Sequence, residues 1–275
     1  MTKRTTLIGI GLAVLATLIW SGNFIVARGV INDIPPITLA FYRWLLATLI
    51  LLPFAWKYFS SVLTVVKDNW LYFLAAAATG VSVFNTFVYI GGHYSDAINL
   101  ALIGTTTSPI ISVILARIVL KEKISLFRLL GMMICVAGIF LLLSKGSLAK
   151  LYSLSFSKGD WWVLGAALSF AIYNTLVRKK PAGMNPIGFL FIIFVLGTVL
   201  LAPFYLNEIA QGKRMEFTVT NLAVILYLGL GASVICFLLW NIAIGKLGSG
   251  RTALFGNLIP VFSSIEAVLI LGEKI

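Results

Sequence analysis

Acidic side chains are scarce in this chain, with nine Asp and Glu among 275 residues, and there is a single histidine. No metal-ligand cluster, Gly-rich phosphate loop or nucleophile–base pair is visible, so no metal, no cofactor and no enzyme activity are expected. The two cysteines, Cys135 and Cys236, fall inside apolar runs. They read as small core residues rather than a disulfide framework. Charged residues of both signs total 11%, roughly half the share of a soluble domain, while hydrophobic residues make up 60%. Mean hydropathy is +1.03. A soluble protein this apolar would expose large sticky patches; a bilayer accepts them. The net charge of +12 sits in short clusters between apolar runs. That placement fits the flanks of membrane segments better than a nucleic-acid surface.

What the chain has instead is a series of apolar runs, each close to the 20 residues that a spanning helix needs. Nine are expected, near 7–30, 37–56, 70–91, 97–118, 126–144, 161–178, 187–206, 221–244 and 252–271. The breaks carry turn chemistry, as at Asn32-Asp33-Ile34-Pro35-Pro36, Pro181-Ala182-Gly183 and Gly248-Ser249-Gly250. The run after Lys3-Arg4 is too long for the core of a cleaved signal peptide and is taken as the first span. With the N-terminus in the cytoplasm, thirteen of the 21 Lys and Arg fall on the cytoplasmic side, seven outside, and Arg43 within a segment. The bias favours that orientation. Loops after residues 56, 118 and 179 then face inward, and those after 92, 145 and 207 outward. A multi-pass protein of a bacterial inner membrane is expected.

The chain also repeats itself. A shift of 151 residues places Asn23 on Asn174, Gly80 on Gly231, Ser82-Val83 on Ser233-Val234, Pro109 on Pro260, Ser112 on Ser263, and Glu122-Lys123-Ile124 on Glu273-Lys274-Ile275. A shift of 150 places Pro36-Ile37 on Pro186-Ile187 and Pro53-Phe54 on Pro203-Phe204. A chance register between apolar stretches would match Leu and Ile, not prolines and Glu-Lys-Ile. Two units are expected, 1–150 with five spans and 151–275 with four. An odd number of spans inserts the second copy upside down, a plan that recurs in secondary carriers with the substrate near the midplane. The first unit continues past Ile124 with a fifth span; the second stops at Ile275. A tenth helix is therefore expected to be missing from this chain, which reads as cut short.

Several stretches resemble the drug/metabolite transporter superfamily in its ten-helix EamA-type branch. They are Leu18-Ile19-Trp20-Ser21-Gly22-Asn23-Phe24, Phe41-Tyr42-Arg43-Trp44-Leu45-Leu46-Ala47 and Pro109 through Glu122-Lys123-Ile124, with Leu239-Trp240-Asn241-Ile242-Ala243 and Asn257-Leu258-Ile259-Pro260 through Ile275 as partners. The resemblance implies ten helices, both ends in the cytoplasm, and metabolite export as the commonest activity. It names no substrate. The expected function is a secondary active exporter of amino acids or similar small amphipathic metabolites, coupled to protons. Alternatives are an importer or exchanger of nucleotide-like metabolites or drugs, or a non-transporting scaffold. Expected partners are a small-molecule substrate and the lipid bilayer, with no nucleic acid, in a monomer or weak homodimer.

Polar side chains inside spans are the candidate site, because hydrocarbon offers them no water. Asn23 and Asn174 are repeat mates, able to bind a zwitterion from two sides or simply to join neighbouring helices. Trp20, Asn85, Tyr89, Tyr173, Trp240 and Asn257 complete the expected substrate-binding set. Trp44, Trp56, Trp70, Trp161 and Trp162 read as interfacial belts. Pro109 and Pro260 are candidate hinges. Arg43 and Glu266 are expected roughly 9 and 8 Å below the outer edge at 1.5 Å per residue, as an ion pair or in one polar pocket, with Glu266 taking the proton. The alternative for Arg43 is to snorkel to the headgroups. His93 is expected to be interfacial, with a proton-linked gate as the alternative.

Overall fold

The computed structural model describes residues 3–121, 124–143 and 157–272. Glu122, Lys123, Lys145 and Glu273-Lys274-Ile275, which entered the repeat and charge arguments, lie outside them. The described residues are helical, with no strand among them. The long elements are α1 (Lys3–Gly29), α2 (Pro36–Tyr58), a short α3 (Phe59–Asp68), α4 (Trp70–Gly92), α5 (Ala97–Val119), α6 (Leu126–Leu143), α7 (Lys158–Arg178), α8 (Pro186–Ala210), α9 (Val219–Leu247) and α10 (Ser249–Leu271).

Seven of these helices are long and apolar enough to cross a membrane: α1, α2, α4, α5, α8, α9 and α10. Nine were expected. The 21-residue α7 is not among the seven, because it carries Lys158, Asp160, Ser169, Asn174, Thr175 and Arg178. It is nonetheless an internal helix, with Ala166, Ala167, Ala171, Tyr173 and Asn174 buried. A helix with much of its surface against protein does not need an apolar residue at every position. Outward-facing positions elsewhere are strongly apolar: Leu7, Leu49, Phe54, Leu206, Leu222 and Leu269 are all exposed. Trp56, Trp70 and Trp161 are exposed near helix ends, as a belt requires. Trp44 is not in the belt. It is fully buried, between Phe194 at 4.7 Å and Phe237 at 5.2 Å.

The principal packing runs between the two halves of the sequence. α1 lies along α9 and α10, α7 lies along α5 and α4, and α2 lies on α8. Small residues permit these approaches. A Cβ on Gly92 would collide with the Ala27 carbonyl, so α4 and α1 meet backbone to backbone there. α4 and α9 each contain a wide π-helical stretch, Ala78–Val83 and Tyr227–Ile235, at positions that the 151-residue shift superimposes. Such turns loosen the usual backbone ladder and are frequent at functional sites.

One acid ties the halves together. α8 runs to Ala210, four residues past its expected end, and so takes Glu208 into the helix. Glu208 and Glu266 are thus both acids inside long apolar helices. Glu208 is buried, and its carboxylate accepts from Thr38 N at 2.7 Å, Thr38 Oγ1 at 2.8 Å and Ile37 N at 3.3 Å. These backbone donors belong to the first turn of α2, whose N-cap is Pro35 and offers no side-chain acceptor. A carboxylate at a helix N-terminus satisfies orphan N–H groups and meets the positive end of the dipole. The N-terminus of α8 is instead capped by its own Asn185. Glu208→Ala is expected to destabilise the fold by about 1–3 kcal/mol, the cost of orphaned buried donors, and Glu208→Gln by less. Melting in detergent checks this; an unchanged melting temperature for Glu208→Ala would contradict it.

Candidate functional site

Arg43 lies on α2, a helix that Pro36 starts and whose Thr38, Leu39, Ala40, Arg43, Trp44 and Ala47 face inward. Its guanidinium is 1% exposed, so it does not snorkel. Nη1 donates at 2.7 Å to each of Asn23 Oδ1, Asn85 Oδ1 and Tyr89 OH. Nε donates to Ser233 Oγ at 2.6 Å and Nη2 to the Ala232 carbonyl at 3.1 Å. Ala232 and Ser233 lie in the π-helical stretch of α9, which turns that carbonyl into an acceptor for a neighbouring helix. The same carbonyl accepts Trp20 Nε1 at 2.7 Å. The ring of Trp44 lies 4.9 Å from the guanidinium carbon and adds a cation–π contact. Every polar partner is a neutral oxygen.

The expected ion pair is absent. Glu266 on α10 accepts from Ser21 Oγ at 2.8 Å. The ion pair found among the described residues is Arg28–Asp96, a partly exposed contact at 3.9 Å. Equal depth did not bring Arg43 and Glu266 together, because neutral amides and hydroxyls on α1, α4 and α9 already surround the guanidinium. Two side chains at one depth on different helices need not face each other.

Beside Arg43 is a small central space of about 40 Å³, which holds on the order of three waters. Trp20, Asn23, Phe24, Arg43, Phe84 and Asn85 line it from the first half of the chain, with Gly104, Thr105, Ser108 and Pro109 of α5. Phe170, Asn174, Trp240, Ala253, Gly256 and Ile259 line it from the second half. The aromatic members form one cluster: Trp20 is 5.0 Å from Trp240 and 5.6 Å from Phe170, and Phe84 stacks on Phe170 at 4.5 Å. Of the expected substrate-binding set, Trp20, Asn23, Asn85, Asn174 and Trp240 line this space. Tyr89 is buried behind it and joins Asn23 and Arg43. Tyr173 donates to Asn241 Oδ1 at 3.0 Å, away from the lining. Asn257, in the 3-10 turn Phe255–Leu258, is also outside the lining.

The repeat mates make matching bonds. Tyr89 OH donates to Asn23 Oδ1 at 3.0 Å, and its counterpart Trp240 Nε1 donates to Asn174 Oδ1 at 2.9 Å. Asn174 Nδ2 then donates to Ser112 Oγ at 3.3 Å. The prolines do not match. α5 continues unbroken through Pro109, whereas Pro260 opens a new α-helical segment after the 3-10 turn. The symmetric pair of hinges expected from sequence is thus a break at one site only. Phe84 and Phe170 went unrecognised because nothing in the sequence separates them from the other 17 phenylalanines. Thr105 and Ser108 carried a signal, as polar residues just before an intrahelical proline. At the end of α4, burial holds the His93 imidazole below its ordinary pKa, opposed by the Glu208 charge, so it is neutral near pH 7.

Residues 7–144 and 157–275 each match one family, the EamA-like transporter family. The chain belongs to that family. An uncharacterized transporter of Archaeoglobus fulgidus is 30% identical over 264 residues, covering 96% of this chain and 89% of that one. A probable amino-acid metabolite efflux pump of Salmonella typhimurium is 23% identical over 276 residues, covering 96% and 87%. A probable terminal-alkyne amino-acid exporter of Streptantibioticus cattleyicolor is 26% identical over 196 residues, covering 71% and 63%. A solved crystal structure aligns with a TM-score of 0.74 at 17% identity, over 100% of this chain and 91% of the other, and shares the fold. By family this EamA-like chain is a membrane transporter. For its paired asparagines the geometry predicts unequal roles. Asn23 accepts from a buried cation, so Asn23→Ala should cost about 1.5–3 kcal/mol of stability; Asn174→Ala removes neutral bonds and should cost about 0.5–1.5 kcal/mol. Comparative melting in detergent decides, and equal losses would contradict the assignment.

Proposed function

We propose that this protein is a secondary carrier that exports amino acids or similar small amphipathic metabolites, coupled to protons, from two inverted repeats. The observation that carries the reading is the central space lined from both halves, with Asn23 and Asn174 making equivalent bonds on its walls. The two-fold match to one family, the exchanged packing of α1 and α7 on the opposite halves, and the matching π-helical stretches all favour a repeat. Five spans per unit invert the second, with nine spans in this chain, the N-terminus in the cytoplasm and the protein in a bacterial inner membrane. The amino-acid exporters among its relatives support the substrate class. A space of three waters is too small for such a substrate, so the halves must part to admit it. In a monomer or weak homodimer, one chain supplies the whole lining.

Glu266 carries the proton in this reading. Its carboxylate has a single hydrogen-bond partner, Ser21, two residues from Asn23 on α1, so its protonation can be felt by the wall of the central space. Arg43 is not its counter-ion. The test is uptake into proteoliposomes across a panel of amino acids and nucleobases, with and without a pH gradient. Gradient-driven accumulation of at least one amino acid is expected. Glu266→Gln should abolish that accumulation yet spare substrate exchange. An unchanged pH dependence in the variant would remove Glu266 from the mechanism, and accumulation indifferent to the gradient would remove proton coupling.

A further inference from the structure

Donor counting exposes an imbalance around Arg43. A guanidinium has five N–H groups. Nε uses one on Ser233, and both of Nη1 are spent on Asn23, Asn85 and Tyr89. Nη2 has two and makes one bond, to the Ala232 carbonyl. Beside it, Asn85 is fully buried and its Nδ2 has no partner. The amide orientation is fixed, because Oδ1 must face the guanidinium. Arg43 and Asn85 both line the central space. Its other polar lining residues are Asn23, Thr105, Ser108 and Asn174; none is acidic, and among the described residues no carboxylate contacts Arg43. Arg43, with a charged N–H to spare, and Asn85, with an unpartnered amide N–H2, therefore meet at the wall of the space, opposite lining that is neutral and largely apolar or aromatic.

We propose that Arg43 and Asn85 bind the carboxylate of the transported molecule, and that the space selects small organic anions with an apolar body over amines of the same shape. This deepens the carrier reading and rests on it. A carboxylate is acceptor-only and satisfies both spare donors at once, whereas neutral acceptors leave the cation without a counter-charge. An ammonium would meet the Arg43 charge and find no acid, so a free amino acid is held by its carboxylate and its amino group is dispensable. The five bonds of Arg43 also divide between the halves: Asn23, Asn85 and Tyr89 come from the first, Ala232 and Ser233 from the second. A carboxylate taken up at the spare Nη2 N–H adds a charged acceptor to this network at the contact between the halves.

Three ligands with one body test this: 3-phenylpropionate, 3-phenylpropanamide and 3-phenylpropylamine, titrated against the purified carrier in detergent. The acid should bind at least tenfold more tightly than the amide, and the amine should not bind. Asn85→Asp is nearly isosteric and gives Arg43 a counter-ion, so it should retain the fold and erase the preference for the acid. Trp240→Ala, on the apolar wall, should weaken acid and amide alike. Equal binding of the three ligands, or an acid preference surviving in Asn85→Asp, would overturn the carboxylate assignment. No binding of any of the three would overturn it as well. If Trp240→Ala also left binding unchanged, the central space itself would fail as the site; a loss in Trp240→Ala with no head-group preference would sink the carboxylate alone.

Discussion

The buried Arg43 guanidinium is the constraint around which the interior is organised. A cation inside a spanning helix costs up to about 2.5–3.5 kcal/mol on insertion scales, the figure for the helix centre. Here that cost is offset by five hydrogen bonds to neutral oxygens and a contact with the Trp44 ring. Those acceptors come from α1, α4 and α9, so one side chain of α2 binds three other helices. Hydrogen bonds to a charged group contribute about 1.5–3 kcal/mol each. The packing of small residues brings the helices close; the guanidinium fixes which faces meet.

At the matching position the second half carries no such charge. The repeat places an apolar residue, Ile193 or Phe194, where Arg43 stands, and both are buried. The central space is consequently asymmetric, with a cationic end supplied by the first half and an amide end, bonded to Trp240 and Ser112, supplied by the second. The helix termini are asymmetric as well, with Glu208 reaching across to α2 while Asn185 caps α8 from within. Each departure sits on a frame of equivalent helices. A duplicated unit with different polar residues at matched positions gives a site with two unlike ends, which suits an amphipathic ligand.

Much of this was legible in the sequence. Apolar runs of spanning length gave the helices, and the register that matched Asn23 to Asn174 named two walls of the central space. Span ends were harder: α8 outran its apolar stretch, because the Glu208 carboxylate is satisfied by α2 rather than by water. Trp44 read as an interfacial belt residue since one sequence cannot tell which way a tryptophan faces; only packing against Phe194 and Phe237 does. The same ambiguity paired Arg43 with Glu266. Depth along a helix follows from residue count, but azimuth depends on neighbours that lie far apart in sequence. The asparagines, tyrosine and serine that surround Arg43 were each visible as polar residues in apolar runs, without a sign that they converge.

The central claim is that Arg43 stays inside, held by neutral acceptors from both halves. An experimental structure that resolves side chains in a lipid nanodisc tests it most directly. The account predicts the guanidinium within hydrogen-bond distance of Asn23, Asn85, Tyr89 and Ser233, with no carboxylate of the protein against it. A guanidinium at headgroup level, or paired with Glu266, would contradict it.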